Sequence, residues 1–592
     1  MSRSISADAA TILRLTITRF RGIESLTWYP EPGLNIILGG GDAGKTTILD
    51  AIGLLLSPTN STILSESDYW CRQIDTDFVI EAVISLPAGT GVSEQNKMSW
   101  PWEWDGKEPQ PPTIASDPGP VSGRVPVYRV RVRGTSEFDL SYELVQPDDN
   151  IGPFPVGFRR SIGLVRLGGD DRNDRDLRLV HGSALDRLLS DKSLRARLGQ
   201  QFASEDVKER LSESAKDTLN KLNDAFQEKA LPSSLGLSVT GSQGLSIGAL
   251  VGLTAVKREV PLPLSSWGTG TRRLAALTIA SSTQGEYPIT IVDEIERGLE
   301  PYRQRSLIAA LTTSKSQVFL TTHSATALST ASSASLWYLD VSGQIGRLPN
   351  AKIARHQARD PETFLARLTI VAEGAAEVGF LSALLERTLE QSPKDCGLWI
   401  TDGHGHEATL NLLEALAEGG LKFGCFVDNE GLHSSRWSKI GTKLKGLLHR
   451  WQTGCLEENI IPLVDPTRLE EFITDPRGEE TGERLRTLAI RLDSSDKDFA
   501  TIRERAGDRM IQLIIEAATG TLPDDKKNAD EAVKKAFRKH KERWFKSRSG
   551  GRELAEKAIS LNALPNLQSQ ILPFINAVRT ALGLPELPSL SL

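Results

Sequence analysis

The sequence predicts an α/β protein built from successive sheet-and-helix units, and three observations carry that prediction. An apolar run, Leu34–Leu38, leads into the Gly-rich stretch Gly39–Thr47 and then a helix-like Ile48–Ile52. A second apolar run, Ile289–Val292, ends in the acids Asp293 and Glu294. Farther along, Leu368–Ala372, Trp399–Thr401 and Cys425–Val427 each read as a short buried strand running into an acid, Glu373, Asp402 and Asp428. Continuous apolar strands alternating with helical stretches indicate parallel sheets covered on both faces.

Composition sets the outer bounds. A chain of 592 residues has room for about three to five domains. A net charge of -6 suggests no nucleic-acid partner by itself, so any basic surface must be local. Cys71, Cys396, Cys425 and Cys455 are scattered without C-x-x-C spacing, which argues against a disulfide framework and a zinc site. Met1–Thr11 lacks a basic-then-apolar leader, and no apolar run reaches the ~18 residues that cross a bilayer. The reading is therefore cytoplasmic, with no membrane.

Taken in order, Thr11–Ile23 alternates as a half-buried strand and turns at Gly22, and Leu26–Tyr29 returns as a second strand. Gly39, four residues, then Gly44-Lys45-Thr46 sits where a phosphate-binding loop must. Gly39, Gly41 and Gly44 let the backbone curl so that N–H groups face phosphate oxygens. Lys45 reaches the terminal phosphates of ATP, Thr46 ligates Mg²⁺, and Thr47 enters the helix whose N-terminus favours anions. Phe78–Leu86 and Val125–Val132 read as further strands, separated by a Pro, Trp and Gly-rich segment whose purpose the sequence does not give.

From about Asp170 the pattern turns helical: Leu211, Ala215, Leu219, Leu222 and Phe226 form one apolar stripe, serving either the chain's own core or a dimerisation arm. At Asp293 and Glu294 the predicted strand delivers two carboxylates to its carboxyl end, where open α/β sheets bind ligands. Asp293 would hold Mg²⁺ and Glu294 polarise the attacking water. His323, after the apolar run Val318–Leu320, is placed to sense the γ-phosphate.

With the Phe20-Arg21-Gly22 turn, these motifs resemble the ABC-type ATPases that handle DNA ends and chromosomes. Leu264–Arg272 resembles their signature loop, and the resemblance implies that Ser266, Gly268 and Gly270 serve the nucleotide of a partner subunit. A homodimer or higher homo-oligomer is then expected. Trp267 stands where the family commonly has Gly. The interval from Thr47 to Ile289 is too short for the long coiled-coil arms of chromosome-organising relatives.

Beyond the polar stretch Ala351–Pro361, expected as a boundary, three strands end in carboxylates. If they are parallel neighbours, Glu373, Glu377, Asp428 and Glu430 converge and repel unless a cation neutralises them. Little Cys or His lies nearby, which suits Mg²⁺ or Mn²⁺. The order Glu-Gly-x-x-Glu, Asp-Gly, Asp-x-Glu resembles the Toprim domain of topoisomerases, DnaG-type primases and OLD nucleases. That family usually shows Asp-x-Asp in third place, whereas Asp428-Asn429-Glu430 lengthens one arm.

An ABC ATPase followed by a Toprim domain resembles the OLD (overcoming lysogenization defect) nucleases, class 2, the Gabija type. The fold class expected is thus α/β throughout, with an N-terminal ABC-type ATPase carrying a helical dimerisation insert and a C-terminal Rossmann-like Toprim domain carrying a helical insert. The expected boundaries are 1–169 and 236–360 for the ATPase, 170–235 for its insert, and 361–592 for Toprim, with its insert at about 466–545. The resemblance implies a two-metal DNA endonuclease or nickase in anti-phage defence, with a UvrD-like helicase as a partner. Glu457 could complete the second metal or be a solvated helix end. A late catalytic lysine is matched to Lys546, with Lys541 and Lys535 as competitors.

Lys534–Arg552 is rich in cations interleaved with Phe537, Trp544 and Phe545, either a DNA-backbone footprint or a solvated helix face. His404 and His406 are read as a small, flexible Gly-rich loop in preference to metal ligands. Two other functions fit the same acids: a topoisomerase or primase, and an ATP-gated DNA clamp. Strand passage needs a tyrosine nucleophile, and none follows Tyr338.

Overall fold

The computed structural model describes residues 9–60, 62–87, 101–112, 125–167, 253–257, 260–283, 288–429, 431–475 and 480–590, with isolated positions between 177 and 220 and Gly478. The expected helical dimerisation insert, 170–235, and Glu430 fall outside the described residues, apart from those isolated positions. Two compact units result, Met1–Asn35 with Thr46–Thr322 and Ile36–Lys45 with His323–Leu592.

In the first unit, the alternating pattern of the N-terminus forms β1 (Thr11–Phe20) and β2 (Ile23–Trp28), joined at Arg21, whose φ is +50°. The next strand, β3 (Leu34–Gly39), runs across the chain division after Asn35, and the first unit goes on with β4 (Phe78–Ser85), β5 (Trp102–Trp104), β6 (Pro109–Gln110), β7 (Val125–Gly134), β8 (Leu140–Val145) and β9 (Ile151–Pro153). An antiparallel sheet runs β2-β1-β4-β7-β5-β6, with β8 beside β7 and β9 beside β8. Trp102 and Trp104, left unexplained by the sequence, bury against Leu13, Val83, Val127 and Val145. They belong to this sheet's core.

The first unit also holds β10 (Leu164–Leu167), β11 (Thr254–Lys257), β12 (Val260–Pro263), β13 (Ile289–Val292) and β14 (Val318–Thr321). Strands β10, β13 and β14 are parallel neighbours, paired Leu167 to Val292 and Val292 to Leu320. Every residue of β13 and β14 is buried, as their apolar runs require. Asp293 and Thr321 therefore emerge side by side at one end.

The second unit contains β15 (Ser335–Leu339) and β16 (Ile345–Leu348), an antiparallel pair. It also contains β17 (Leu368–Ala372), β18 (Leu398–Asp402), β19 (Phe423–Val427) and β20 (Leu448–Arg450), all parallel in the order β18-β17-β19-β20. The register pairs Ala372 with both Asp402 and Phe426, so the strands end level and their following residues share one rim. The polar stretch Ala351–Pro361 carries a helix, Asn350–Arg359. It is amphipathic: Ile353, His356 and Gln357 are buried while Lys352 reaches out to Glu414 and Glu418.

Helices Thr481–Arg491, Met510–Thr519 and Arg548–Ser560 do not form a peripheral layer. Leu488, Ile514, Trp544, Phe545 and Leu554 share one buried cluster with Leu368, Phe380 and Phe426 of the sheet and its covering helix. Gly379 and Gly551 set the closest approach. A Cβ on Gly551 would fall 1.8 Å from Ala376 O, and one on Gly379 would fall 1.9 Å from Arg548 O. Among the described residues no helix is long and apolar enough to cross a membrane.

Candidate nucleotide site and carboxylate centre

The phosphate-binding stretch starts where β3 ends. A Cβ on Gly39 (φ +150°) would lie 2.4 Å from Leu339 O, and Gly44 holds φ +98°, so glycine is required at both for different reasons. Gly41 meets nothing within 4 Å, leaving its backbone open on the loop's outer side. Lys45 begins the helix Lys45–Leu55, and its ammonium donates to Gly39 O at 2.9 Å and Gly40 O at 2.7 Å. The loop thus already holds a cation against its own carbonyls.

Thr46 and Thr47 follow Lys45 on that helix. Thr46 Oγ1 lies 3.4 Å from Asp293 Oδ1, which also accepts from Thr321 Oγ1 at 2.6 Å. Thr321 Oγ1 in turn accepts from the Glu294 amide at 2.9 Å. Glu294 has φ +47°, a left-handed conformation costing a non-glycine roughly 1–2 kcal/mol. Such strain collects at functional sites, and here it turns a carboxylate outward, 48 % exposed and 4.0 Å from Arg297. His323 is exposed just after β14.

Sequence reasoning missed Arg273. It is 1 % exposed and donates to the carbonyls of Asp293, Glu294 at 2.8 Å and Arg297 at 2.6 Å. Burial lowers its pKa, and the nearby charge of Asp293 opposes that shift. Arg273 lies on the helix Thr269–Thr283, directly after the signature-like loop, and so pins that helix to the acidic turn. Gly270 is equally constrained, since a Cβ there would meet Gly298 O at 2.2 Å. Gly268 and Ser266 stay exposed, the Ser266 hydroxyl donating to Pro263 O.

The second centre lies along the rim where β17, β18, β19 and β20 end. Glu373 follows β17, and its Oε2 accepts from the Asp428 amide at 3.2 Å, so the ends of two strands are locked together. Glu377 sits in the first turn of Ala375–Thr388 and is 5 % exposed. Gly454 exchanges two hydrogen bonds with Asn429, at 3.0 and 3.2 Å, which swings the helix Leu456–Ile460 in beside Asp428. Glu457 on that helix is fully buried and takes the Lys546 ammonium at 2.6 Å. Lys541 and Lys535 make no such contact.

Charge and burial act together here. Burial pushes Asp428 up to about 8, with Glu377 and Glu373 adding repulsion and Lys546 opposing it. Glu377 is also raised, first by burial and then by Glu457. Burial pulls Lys546 down, but the charge of Glu457 outweighs it and the net shift is upward. The Cys455 thiol donates to Glu457 at 3.2 Å and is raised by burial.

These residues suit a hard divalent cation in kind: Glu373, Glu377 and Glu457 lie near enough to raise Asp428, and among the described residues Asp428 Oδ1 and Glu457 Oε1 are buried without a hydrogen-bond partner. Among the described residues no group of three or more His, Cys, Asp and Glu is drawn tightly enough to hold a metal as it stands. Lys546 brings an ammonium into this group of acids through its bond to Glu457.

The aromatics of Lys534–Arg552 belong to the interior: Phe537, Trp544 and Phe545 are buried, and Trp544 donates to Thr487 at 3.1 Å. Phe537 lies on the helix Glu531–Lys539, while Trp544 and Phe545 fall between it and Arg548–Ser560. The His404–His406 loop, expected to be flexible, is held in place. Gly403 N–H donates to Ala372 O at 2.7 Å and Gly405 N–H to Glu373 O at 2.9 Å, stitching the loop to the end of β17.

Known proteins resemble parts of this chain. The family described as "AAA domain, putative AbiEii toxin, Type IV TA system" matches residues 146–329, and another described as "AAA domain" matches residues 14–98. The DNA replication and repair protein RecF of Moorella thermoacetica is 49 % identical over 47 residues, 8 % of this chain and 13 % of that protein. The chain thus spans a small fraction of this relative's length. An SmcHead bound to the C-winged helix domain of ScpA aligns with 58 % of this chain and 99 % of its own, at 14 % identity and a TM-score of 0.33. The recombination mediator protein RecF with ATP aligns with 57 % and 99 %, at 12 % identity and 0.30. The match over residues 146–329 contains the Asp293–Glu294 turn and the match over residues 14–98 the phosphate-binding stretch, so the chain carries an AAA-type, ATP-binding ATPase domain.

Proposed function

We propose that this chain is an ATP-hydrolysing, divalent-metal-dependent DNA endonuclease that nicks its substrate, with the ATPase controlling a separate phosphodiesterase centre. The observation that carries the proposal is the gathering of Glu373, Glu377, Asp428, Glu457 and Lys546 along one rim of a parallel sheet. Buried acids with raised pKa values are costly to keep unless something uses them. The short stretch of identity to a DNA replication and repair protein supports DNA as the substrate, and resemblance to OLD nucleases supports phage defence as the setting. The exposed Ser266 and Gly268 support a site completed by a second copy of the chain.

At the ATPase, Lys45 would leave the loop carbonyls for the phosphates, Thr46 and Asp293 would hold Mg²⁺, and Glu294 would orient the attacking water. At the rim, Glu373, Glu377, Asp428 and Glu457 would hold Mg²⁺ or Mn²⁺. When bound, such ions would activate water and stabilise charge on the phosphate. Lys546, the chain's own cation there, would bear on the oxygens where negative charge develops. Asp428 must give up its proton before it can ligate.

The test uses supercoiled plasmid with Mn²⁺ or Mg²⁺. The wild type should convert it to open circle, and Glu373→Ala and Asp428→Ala should leave it supercoiled. Equal nicking by all three proteins would reject the assigned centre.

A further inference from the structure

The loop from β18 into the helix His406–Gly419 contributes nothing to the roles assigned so far, yet it reaches the carboxylate centre. His406 opens that helix, and its Nδ1 lies 3.7 Å from Glu373 Oε1, with both side chains about nine-tenths buried. Trp437 Nε1 donates to His406 Nε2 at 3.3 Å. An indole N–H can only donate, so Nε2 must accept and the ring proton of the neutral imidazole sits on Nδ1, the nitrogen that faces Glu373.

The ring is held on its other sides too. His433 stacks on it at 5.6 Å between centroids, and Trp437 meets it edge-on at 5.7 Å. Trp437 is itself buried beneath the Arg450 guanidinium, 5.0 Å from the ring centre. Glu373 is therefore bracketed, one oxygen bonded to the Asp428 amide and the other facing a histidine of fixed tautomer.

We infer that His406 is a positioning residue for the phosphodiesterase centre, orienting the Glu373 carboxylate electrostatically across the 3.7 Å from an Nδ1–H that Trp437 keeps in place. This rests on the nuclease reading above. A metal-ligating group is normally oriented by a partner one step farther out, and loss of that partner costs 10–100-fold in metal affinity or activity. Here the ligand is a carboxylate and the partner an imidazole. The Gly403 and Gly405 amides bonded to β17 explain how a glycine-rich loop can hold such a partner still.

The experiment measures Mn²⁺ binding by electron paramagnetic resonance and plasmid nicking on the full-length chain. His406→Phe keeps the ring's bulk without the N–H, and should weaken Mn²⁺ binding and slow nicking by about 10–100-fold. His406→Asn, which returns an N–H near the δ position, should recover most of both. Trp437→Phe, which frees the tautomer, should fall between them, and circular dichroism checks that each variant folds. Wild-type Mn²⁺ affinity and nicking in His406→Phe and Trp437→Phe, with Asp428→Ala inactive, would overturn this inference and leave the nuclease reading intact. Nicking by Asp428→Ala equal to wild type would sink the nuclease reading instead, while Mn²⁺ binding would still decide the role of His406.

Discussion

The nucleotide site and the carboxylate centre handle charge in opposite ways. Around Gly39–Lys45 the chain presents backbone and one ammonium, and that ammonium rests on carbonyls of its own loop. Around Glu373 and Asp428 it buries acids that repel one another, and opposes them with the ammonium of Lys546. The first arrangement awaits an anion and the second a cation. What separates them is also distance along the chain: the stretch Gly39–Thr47 writes most of the first, while the second needs four strands, two glycine contacts and Lys546, far downstream of Glu373.

The sharpest way to break this comparison is to disable one centre and watch the other. Lys45→Ala and Glu294→Gln should each cut ATP turnover by 10²–10³-fold or more, whereas Glu373→Ala should leave it within about twofold, as measured by phosphate release. Equal losses in all three would merge the two sites into one.

Acid stored in one centre should also show in the pH dependence of stability. Asp428 has its pKa raised from 3.8 to about 8 by burial and then by Glu377 and Glu373. Between those values the native state keeps a proton that the unfolded chain has released, so this group's contribution falls as pH rises from about 4 to about 8 and is level above. The slope is at most about 1.4 kcal/mol per pH unit for one proton. Denaturant melts of Asp428→Asn should be flatter across this window than those of wild type. Mn²⁺ should oppose the trend, binding more tightly as the proton leaves.

A smaller effect tests how packing builds the carboxylate centre. Gly551→Ala must push the helix Arg548–Ser560 off Ala375–Thr388, and should cost about 1–3 kcal/mol and loosen Lys546 from Glu457. Smallest of all, Gly482→Ala places its methyl in open space within a helix and should be neutral or stabilising by up to about 1 kcal/mol. Calorimetry on the two variants separates close approach from simple chain freedom.

Much of this was readable in the sequence because strand ends are local facts. The apolar runs before Asp293, Glu373, Asp402 and Asp428 each form the strand their pattern implies. Parallel register then brings the last three to one rim. Glu457 was ambiguous because a carboxylate in a first helical turn is normally solvated, and only the Gly454–Asn429 pairing turns it inward. Arg273 was invisible, and His406 was named but read as loop, for a related reason: their partners are backbone carbonyls and a glutamate brought near by folding, and no spacing rule encodes such a meeting. The burial of Phe537, Trp544 and Phe545 was not legible because aromatics interleaved with cations suit a core seam as well as a surface one.

The central claim is that the acids at the rim of β17 and β19, and not the phosphate-binding loop, take up divalent cation in the absence of nucleotide. Counting Mn²⁺ bound per chain by electron paramagnetic resonance at pH 8 without ATP tests it directly. The account predicts bound Mn²⁺ in wild type and Lys45→Ala and its loss in Asp428→Ala; undiminished binding by Asp428→Ala would contradict it.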